Sequence, residues 1–343
     1  MIEILHPEHD RDRIVEHRRS GIGEVDGWTD AAKEYAALAS LDPGVEPIED
    51  ADIEEYARYV VYPWRAVMVR LPESGVFQRL RTARNRYLIS DDEQARWSEA
   101  LIAVAGLSVG ASLLHTCVLT GARRFAIADP DTLGLTNLNR LAGSVCDLGV
   151  AKSALAHRRM LETDPYVQVR AVGEGFTTAS ADAFFGATAG DERPHVVLEE
   201  VDNLAAKVAI RRRARAEGIP LVMVTDEGDN VLLDIERYDL DPDYPLFHGR
   251  AGDVEALSDD ELTHPANRVR IASAIVGSGI SPRVRMALGE VGQSIPSWPQ
   301  LGTAATLAGA VGATVARRIV CGDTVPSGRV HVRIDDLAGD PHA

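Results

Sequence analysis

The sequence predicts an α/β protein built on a doubly wound, mainly parallel sheet. Short apolar runs recur along the chain, as expected of strands that are buried on both faces of such a sheet. Segments with the residue spacing of helices separate these runs, and this alternation is typical of a Rossmann-like architecture. The predicted strands lie at 101–105, 125–128, 169–172, 196–198 and 221–224. The predicted helices between them lie at 111–121, 151–163 and 203–217.

Residues 1–80 are expected to form a small N-terminal α+β cap, and residues 81–343 the main domain. The cap should contain two helices, at 10–19 and 28–38, and two short strands, at 59–64 and 66–69. The main domain should end with a helix at 302–319, which is dense in glycine and alanine, and an edge strand at 329–334. Small residues on that last helix indicate close packing against the sheet or against a second copy of the chain.

Bulk composition excludes several classes of protein. A net charge of −16 disfavours broad nucleic-acid binding, although a local cluster such as Arg140 and Lys152 can still hold ATP. No apolar run reaches eighteen residues, so we expect no membrane span. The N-terminus lacks the features of a signal peptide, and the three cysteines form neither a disulfide framework nor a C-x-x-C pair. A cytoplasmic location is the default expectation.

Residues 101–129 have the features of a nucleotide site. A turn of small residues, Gly106 to Ala111, joins the first predicted strand to a helix, and Asp129 ends the next strand. A helix N-terminus binds phosphate, and an acid at that position accepts hydrogen bonds from ribose. The glycine pattern is incomplete, because Ser108 and Ala111 stand where glycines are usual, beside Gly106 and Gly110. A simple tight turn is therefore the alternative interpretation.

Further motifs follow at defined spacing. Asp129-Pro130-Asp131 precedes Thr136-Asn137-Leu138-Asn139-Arg140, and Lys152 opens the next helix. Leu198-Glu199-Glu200-Val201-Asp202-Asn203 follows a later strand. In order and spacing, over about residues 100–235, this set resembles the superfamily of ThiF, MoeB and the ubiquitin-activating enzymes.

The resemblance implies an ATP-dependent adenylyltransferase that turns a carboxylate into an acyl-adenylate and releases pyrophosphate. It assigns the α-phosphate to the turn at Gly106, Ser108 and Gly110 and to Lys152. Asp129 would bind ribose, with Asp131 beside it. The β- and γ-phosphates would meet Asn137, Asn139 and Arg140.

The resemblance also assigns a metal and a partner subunit. Asp202 would bind Mg2+, which fits a strand end where Glu199, Glu200 and Asp202 would otherwise repel one another. Arg86 is the best match to the arginine that reaches the γ-phosphate across a dimer interface in the superfamily, with Arg84 as the second choice, so a homodimer is expected. The alternative interpretation of Arg86 is a surface arginine before a helix.

Other features depart from the superfamily. Zinc cysteines are absent from 231–250, so structural zinc is not expected, and Cys146 has no histidine near it in sequence. The acyl group should therefore pass to an amine, a thiol or an amide oxygen, and the substrate should be a small molecule, a peptide or the tail of a carrier protein. Tyr62-Pro63-Trp64, Arg84 to Leu88 and Val104 to Gly110 also resemble uncharacterised bacterial ThiF-like proteins, some of them fused to a nitroreductase domain.

Two other functions stay open at this point. An NAD- or FAD-dependent oxidoreductase would use the same turn and Asp129, but it leaves the spacing of Arg140, Lys152 and Asp202 unexplained. A nucleotide-binding partner module without turnover of its own is compatible with the incomplete glycine pattern. His248 could face a reacting carbonyl, or it could be an ordinary core or surface histidine.

Overall fold

The computed structural model describes residues 1–49, 52–186 and 192–337. These residues form two compact units. The first comprises Met1–Gln94 and Asp164–Tyr166, and the second takes the rest of the described chain. The first unit extends beyond the boundary at residue 80 that we predicted, because Arg86 forms an ion pair with Asp42 and the Asn85 side chain donates to Gln94 at 3.0 Å.

The first unit is an α+β fold, as predicted. Its described helices are α1 (Arg11–Arg19), α2 (Trp28–Leu41) and α3 (Ser74–Arg81). Its strands are β1 (Glu3–Leu5), β2 (Gly23–Asp26), β3 (Ala57–Tyr62) and β4 (Val67–Pro72), in the order β1-β3-β4-β2. Only the pair β2–β4 is parallel among the three pairings described. Helix α4 (Asp91–Glu99) follows and crosses the boundary between the units.

The second unit contains the predicted doubly wound sheet. Its described strands are β5 (Leu101–Ala105), β6 (Arg124–Ala128), β7 (Gln168–Val172), β8 (Val196–Glu199), β9 (Leu221–Glu227), β10 (Asn230–Glu236) and β11 (Gly328–Val332). The strand order is β11-β10-β9-β8-β5-β6-β7. The five strands from β5 to β9 pair in parallel, whereas β10 and β11 add an antiparallel edge. This confirms the mainly parallel architecture.

Helices join and cover these strands. Those of the described second unit are α5 (Gly110–Leu119), α6 (Lys152–Thr163), α7 (Ala181–Phe185), α8 (Leu204–Ala216), α9 (Asp259–Thr263), α10 (Pro265–Val276), α11 (Pro282–Gly289) and α12 (Gly302–Cys321). Helix α8 packs on β8, and α12 packs on α5, β9 and β10.

Small residues let α12 approach its neighbours closely. A Cβ atom added to Gly309 would lie 2.7 Å from the carbonyl oxygen of Ser112, and one added to Gly312 would lie 2.6 Å from Leu113 Cδ2. By length and composition alone α12 could cross a membrane, but half of its most apolar window is buried. Because that buried half packs on α5 and the sheet, we interpret α12 as a core helix.

The sheet reverses its winding between β5 and β8. From β5 the chain proceeds outward to β6 and β7, and it then returns to the other side of β5 to form β8 and β9. In open α/β sheets, ligands bind at the carboxyl edge where the strand order reverses in this way. The residues that follow β5, β6, β8 and β9 are therefore the candidates for a ligand site at this edge of the sheet.

Candidate active site

The turn after β5 can bind an anion. Gly106 has a φ of +86°, and a Cβ atom there would lie 2.4 Å from the carbonyl oxygen of Glu200, so only glycine fits. Gly110 begins α5 and lies close to Val104, since a Cβ atom there would be 3.2 Å from Val104 Cγ1. No side chain caps α5, so the N–H groups of Gly110 and Ala111 in its first turn can reach a ligand such as phosphate, whereas that of Ser112 donates to Val109 O at 2.8 Å.

Asp129 holds this turn in place. Its Oδ2 atom accepts the N–H of Leu107 at 2.5 Å, and its Oδ1 atom accepts the N–H of Asp131 at 2.8 Å. Burial raises the pKa of Asp129, and the Leu107 N–H and the Lys152 charge oppose that rise. Each carboxylate oxygen has a second lone pair, so the predicted bond to ribose is chemically compatible with this role.

Lys152 already has acidic partners. Its Nζ atom lies 2.8 Å from Asp131 Oδ2 and 3.9 Å from Asp129 Oδ1, and the residue is buried. A lysine in the first turn of a helix opposes the helix dipole, and this ion pair supplies the compensation. Contact between Lys152 and an α-phosphate stays a prediction.

Arg140 lies over the turn that follows β5. Its Nε atom donates to Ser108 Oγ at 3.0 Å, and its Nη1 atom donates to Thr136 O at 3.0 Å and to Asn139 Oδ1 at 2.9 Å. Burial lowers the pKa of Arg140, while the negative charges of Asp202 and Asp226 oppose that change. The guanidinium is thus anchored beside the proposed phosphate position before any ligand arrives.

The two predicted asparagines build the segment that carries Arg140. Asn137 Oδ1 accepts the N–H of Gly134 at 2.8 Å, and Asn139 Nδ2 donates to the carbonyl oxygen of Gln300 at 2.8 Å. These bonds shape a short turn and tie it to the residues just before α12. Direct contact of either amide with a phosphate stays a prediction.

The three acids after β8 do not form one cluster. Glu199 is fully buried under α8, where Arg211 Nη1 lies 2.5 Å from its Oε2 and Lys207 Nζ lies 2.9 Å from its Oε1. Glu200 turns the other way and accepts the N–H of Val224 at 2.8 Å. Burial raises the pKa of Glu200 well above its usual range.

Asp202 is the exposed member of this acidic segment. Its charge acts on Arg140 and on Asp226, so it faces the same edge of the sheet. Among the described residues, no group of three or more His, Cys, Asp or Glu side chains is arranged to hold a metal. Mg2+ bound with ATP needs only one or two carboxylates, because phosphates and water complete its shell. Asp202 therefore fits the predicted role of a magnesium ligand.

Asp226, near the end of β9, is a site residue that we did not predict. It is 4% exposed, and neither carboxylate oxygen has a hydrogen-bond partner in the described structure. Burial raises its pKa to about 6. The nearby Gln300 side chain and the Arg140 charge lower that value, and Asp202 raises it. The sequence offered one signal for this residue, an acid at the carboxyl end of a buried strand. Glu199 and Glu200 have the corresponding place at the end of β8.

Comparison with known proteins locates a family match around the site. The sequence model described as the ThiF family matches residues 82–230, which is less than half of the chain. Residues 82–230 therefore form a ThiF-family domain. The matched residues cover the turn after β5, Arg140, Lys152, Asp202 and Asp226.

Two relatives of this chain are longer proteins. The uncharacterized protein MT1398 of Mycobacterium tuberculosis is 35% identical over 95% of this chain and 44% of its own length. The tRNA threonylcarbamoyladenosine dehydratase 2 of Saccharomyces cerevisiae is 25% identical over 43% of this chain and 32% of its own length. The chain thus spans less than half the length of these relatives.

The fold has solved counterparts. The crystal structure of Escherichia coli MccB with ATP matches with a TM-score of 0.50 and 12% identity, and the match covers 74% of this chain and 68% of MccB. This likeness supports the Rossmann-like architecture of the chain.

The two remaining predicted residues, Arg86 and His248, already have partners in the described structure. Arg86 belongs to the first unit, where it pairs with Asp42 and lies 3.5 Å from Asp91 Oδ2. Its action across a dimer interface stays a prediction. His248 has both ring nitrogens engaged, at 2.9 Å from Asp234 Oδ1 and 2.9 Å from Tyr244 Oη. That pairing favours the interpretation of His248 as a core residue.

Proposed function

We propose that this chain is an ATP-dependent adenylyltransferase that activates a carboxylate as an acyl-adenylate. The observation that carries the proposal is the position of Arg140, which Ser108 holds over the turn at the N-terminus of α5, within electrostatic reach of Asp202 and Asp226. The match of residues 82–230 to the ThiF family supports it, as does the fold that the chain shares with MccB, a protein solved with ATP.

The chain's own residues would act mainly by positioning and by neutralising charge. A carboxylate oxygen of the substrate attacks the α-phosphorus of ATP, a new O–P bond forms, and the bond to pyrophosphate breaks. The first-turn N–H groups of α5 and the guanidinium of Arg140 would stabilise the added negative charge. Lys152 would exchange its contact with Asp131 for the α-phosphate. Asp129 would orient the nucleoside through ribose.

Asp202 would hold a magnesium ion in the proposed enzyme. When bound, that ion supplies positive charge against the phosphates. A homodimer would bring Arg86 of a second copy to the γ-phosphate. Both roles are what the resemblance implies for this chain.

The acyl group would then pass to a nucleophile from outside the chain. Cys117 and Cys321 are buried, and Cys146 is exposed. We propose an amine, a thiol or an amide oxygen as the acceptor, and a small molecule, a peptide or a carrier-protein tail as the acid. The net charge of −16 argues against a role in broad nucleic-acid binding.

Isotope exchange between pyrophosphate and ATP tests the proposal, together with direct titration of ATP. Arg140→Ala should lower the exchange rate by about 10²-fold or more, as loss of a charge-stabilising donor does in other enzymes. Arg268→Ala, at an exposed position of α10, is the matched control and should exchange normally.

Equal exchange in the two variants would refute the role of Arg140. Tight ATP binding without exchange, over a panel of acids, peptides and carrier tails, would instead support a partner module without turnover. Preferential binding of NAD or FAD would support an oxidoreductase.

A further inference from the structure

Asp226 differs from the other buried acids of the second unit. Glu199 is paired with Arg211, Glu236 also binds Arg211 at 2.7 Å, and Asp234 is held by Arg329 at 2.6 Å. Each of these three carboxylates therefore has a cationic partner within the fold, and the buried Glu227 accepts the backbone N–H of Ser281. Asp226 is 4% exposed and has the Gln300 side chain near it, but neither of its oxygens makes a hydrogen bond of normal geometry in the described structure. A buried carboxylate is rarely left in this state unless a ligand completes it.

The charges around Asp226 indicate the charge of the ligand that it would bind. Its charge acts on Glu200 and Arg140, and Asp202 acts on it in return. Arg140 is already bound to Ser108, Thr136 and Asn139. Asp202 and Asp226 thus share one arginine, Arg140, so these three groups carry a net negative charge.

Strand geometry brings Asp226 to the same edge as the predicted metal ligand. Asp202 follows β8, and Asp226 lies near the end of β9, which pairs with β8 in parallel. Carboxyl ends of neighbouring parallel strands meet at one edge. Two carboxylates are also the number that Mg2+ commonly takes from a protein when phosphates and water fill the rest of its shell.

We propose that Asp226 and Asp202 together bind one divalent cation, with Asp226 as a direct ligand. This inference rests on the proposed use of ATP at the site. The family resemblance assigns only Asp202 to the metal, and Asp226 is an additional ligand that its burial and its place at the end of β9 point to. The cation would lie on the β9 side of the phosphates, with Arg140 on the side of the turn after β5.

Binding of Mn2+ to the full chain tests the inference. The free Mn2+ signal in electron paramagnetic resonance would be titrated with and without ATP for the wild type, Asp226→Asn and Asp202→Asn. Each variant should weaken Mn2+ binding by about tenfold or more, because loss even of a group that only orients a metal ligand costs about that much. Asp253→Asn, an exposed acid in the same unit, is the matched control and should bind as the wild type does.

Asp226→Asn keeps the shape of the side chain and removes only its charge, so the variant should fold. Circular dichroism and the thermal unfolding midpoint check this, and Asp226→Glu, which keeps the charge, should retain part of the Mn2+ affinity. A folded Asp226→Asn that binds Mn2+ as tightly as the wild type would overturn the inference. So would unchanged Mn2+ binding with a selective loss of affinity for amine-bearing substrates, since Asp226 would then recognise a substrate ammonium group.

The same measurements separate this inference from the proposed function. Normal pyrophosphate exchange in Asp226→Asn with unchanged Mn2+ binding would remove Asp226 from the metal site and leave the adenylyltransferase in place. Weakened Mn2+ binding in both variants, combined with no exchange in the wild type on any acid, would support the cation site and count against adenylyl transfer.

Discussion

Replacement of Gly106 by alanine is the most direct test of the site geometry. With φ at +86°, a residue with a Cβ atom at this position costs about 1–2 kcal/mol in backbone strain. The new Cβ atom would also lie 2.4 Å from Glu200 O and 2.9 Å from Val201 N, which are backbone atoms with little freedom to move. Overpacking of this kind typically adds about 1–3 kcal/mol. We therefore expect a total loss of about 2–5 kcal/mol in the free energy of unfolding.

Gly322→Ala separates the two contributions. Gly322 follows α12 with a φ of +91°, and a Cβ atom there would meet nothing within 4 Å. That variant should lose only the strain, about 1–2 kcal/mol. Urea unfolding of both variants measures the difference, and ATP titration should show weakened binding in Gly106→Ala alone. If Gly106→Ala is no less stable than Gly322→Ala, the close approach of the β5 turn to the end of β8 is absent.

Four further predictions follow from packing and charge. Gly309→Ala should destabilise the protein, because the new Cβ atom on α12 would meet the Ser112 carbonyl, even though alanine favours a helix over glycine by about 1 kcal/mol. Gly289→Ala, whose Cβ atom would have open space, should be neutral or stabilising in the same urea assay. A thiol reagent should label the exposed Cys146 fast. It should label Cys117 only on unfolding, because that thiol is buried and burial raises its pKa; equal labelling rates for the two cysteines would contradict this. Glu199→Gln should cost up to about 3–5 kcal/mol of unfolding free energy, because Lys207 loses its pairing with Glu199 and Arg211 keeps Glu236 but loses its second acid; a loss below that of an exposed acid would refute the pairing. Without nucleotide or metal, the stability of Asp226→Asn relative to wild type should rise by about 2 kcal/mol between pH 4 and pH 7. The folded-state pKa of about 6 lies above the ordinary 3.8, so the wild type loses stability as the pH rises through that window, and a flat difference would refute this.

The sequence predicted local features well because each of them is encoded locally. The apolar runs that became β5, β6, β8 and β9 are buried in the structure, and the small-residue turn lies where a parallel strand meets a helix. The order of the strands was also within reach, since alternating strands and helices restrict the possible topologies.

Predictions that depended on long-range contacts fared differently. The repulsion expected among Glu199, Glu200 and Asp202 assumed that adjacent acids share one environment, whereas Arg211 on α8 removes Glu199 from the site. The extent of the first unit depended on Asp42, which lies far from Arg86 in sequence. In both cases the partner residue, Arg211 or Asp42, belongs to another structural element, so no local sequence pattern predicts the contact.

Strand alternation explains why Asp226 and Glu199 have opposite roles although both acids end a buried strand. The pairing of Leu198 with Val222 places Glu199 in register with Met223, and Arg211 contacts both of them on the α8 side of the sheet. Side chains on a strand alternate between faces, so Val224 and Asp226 point to the opposite side, which α12 covers. The α8 face supplies arginine and lysine to its acids. On the α12 face, the cation that acts on Asp226 within the described part of the chain is Arg140, which already donates to Ser108 in the turn after β5. An acid placed on the α12 face at the carboxyl edge therefore needs its positive charge from a ligand.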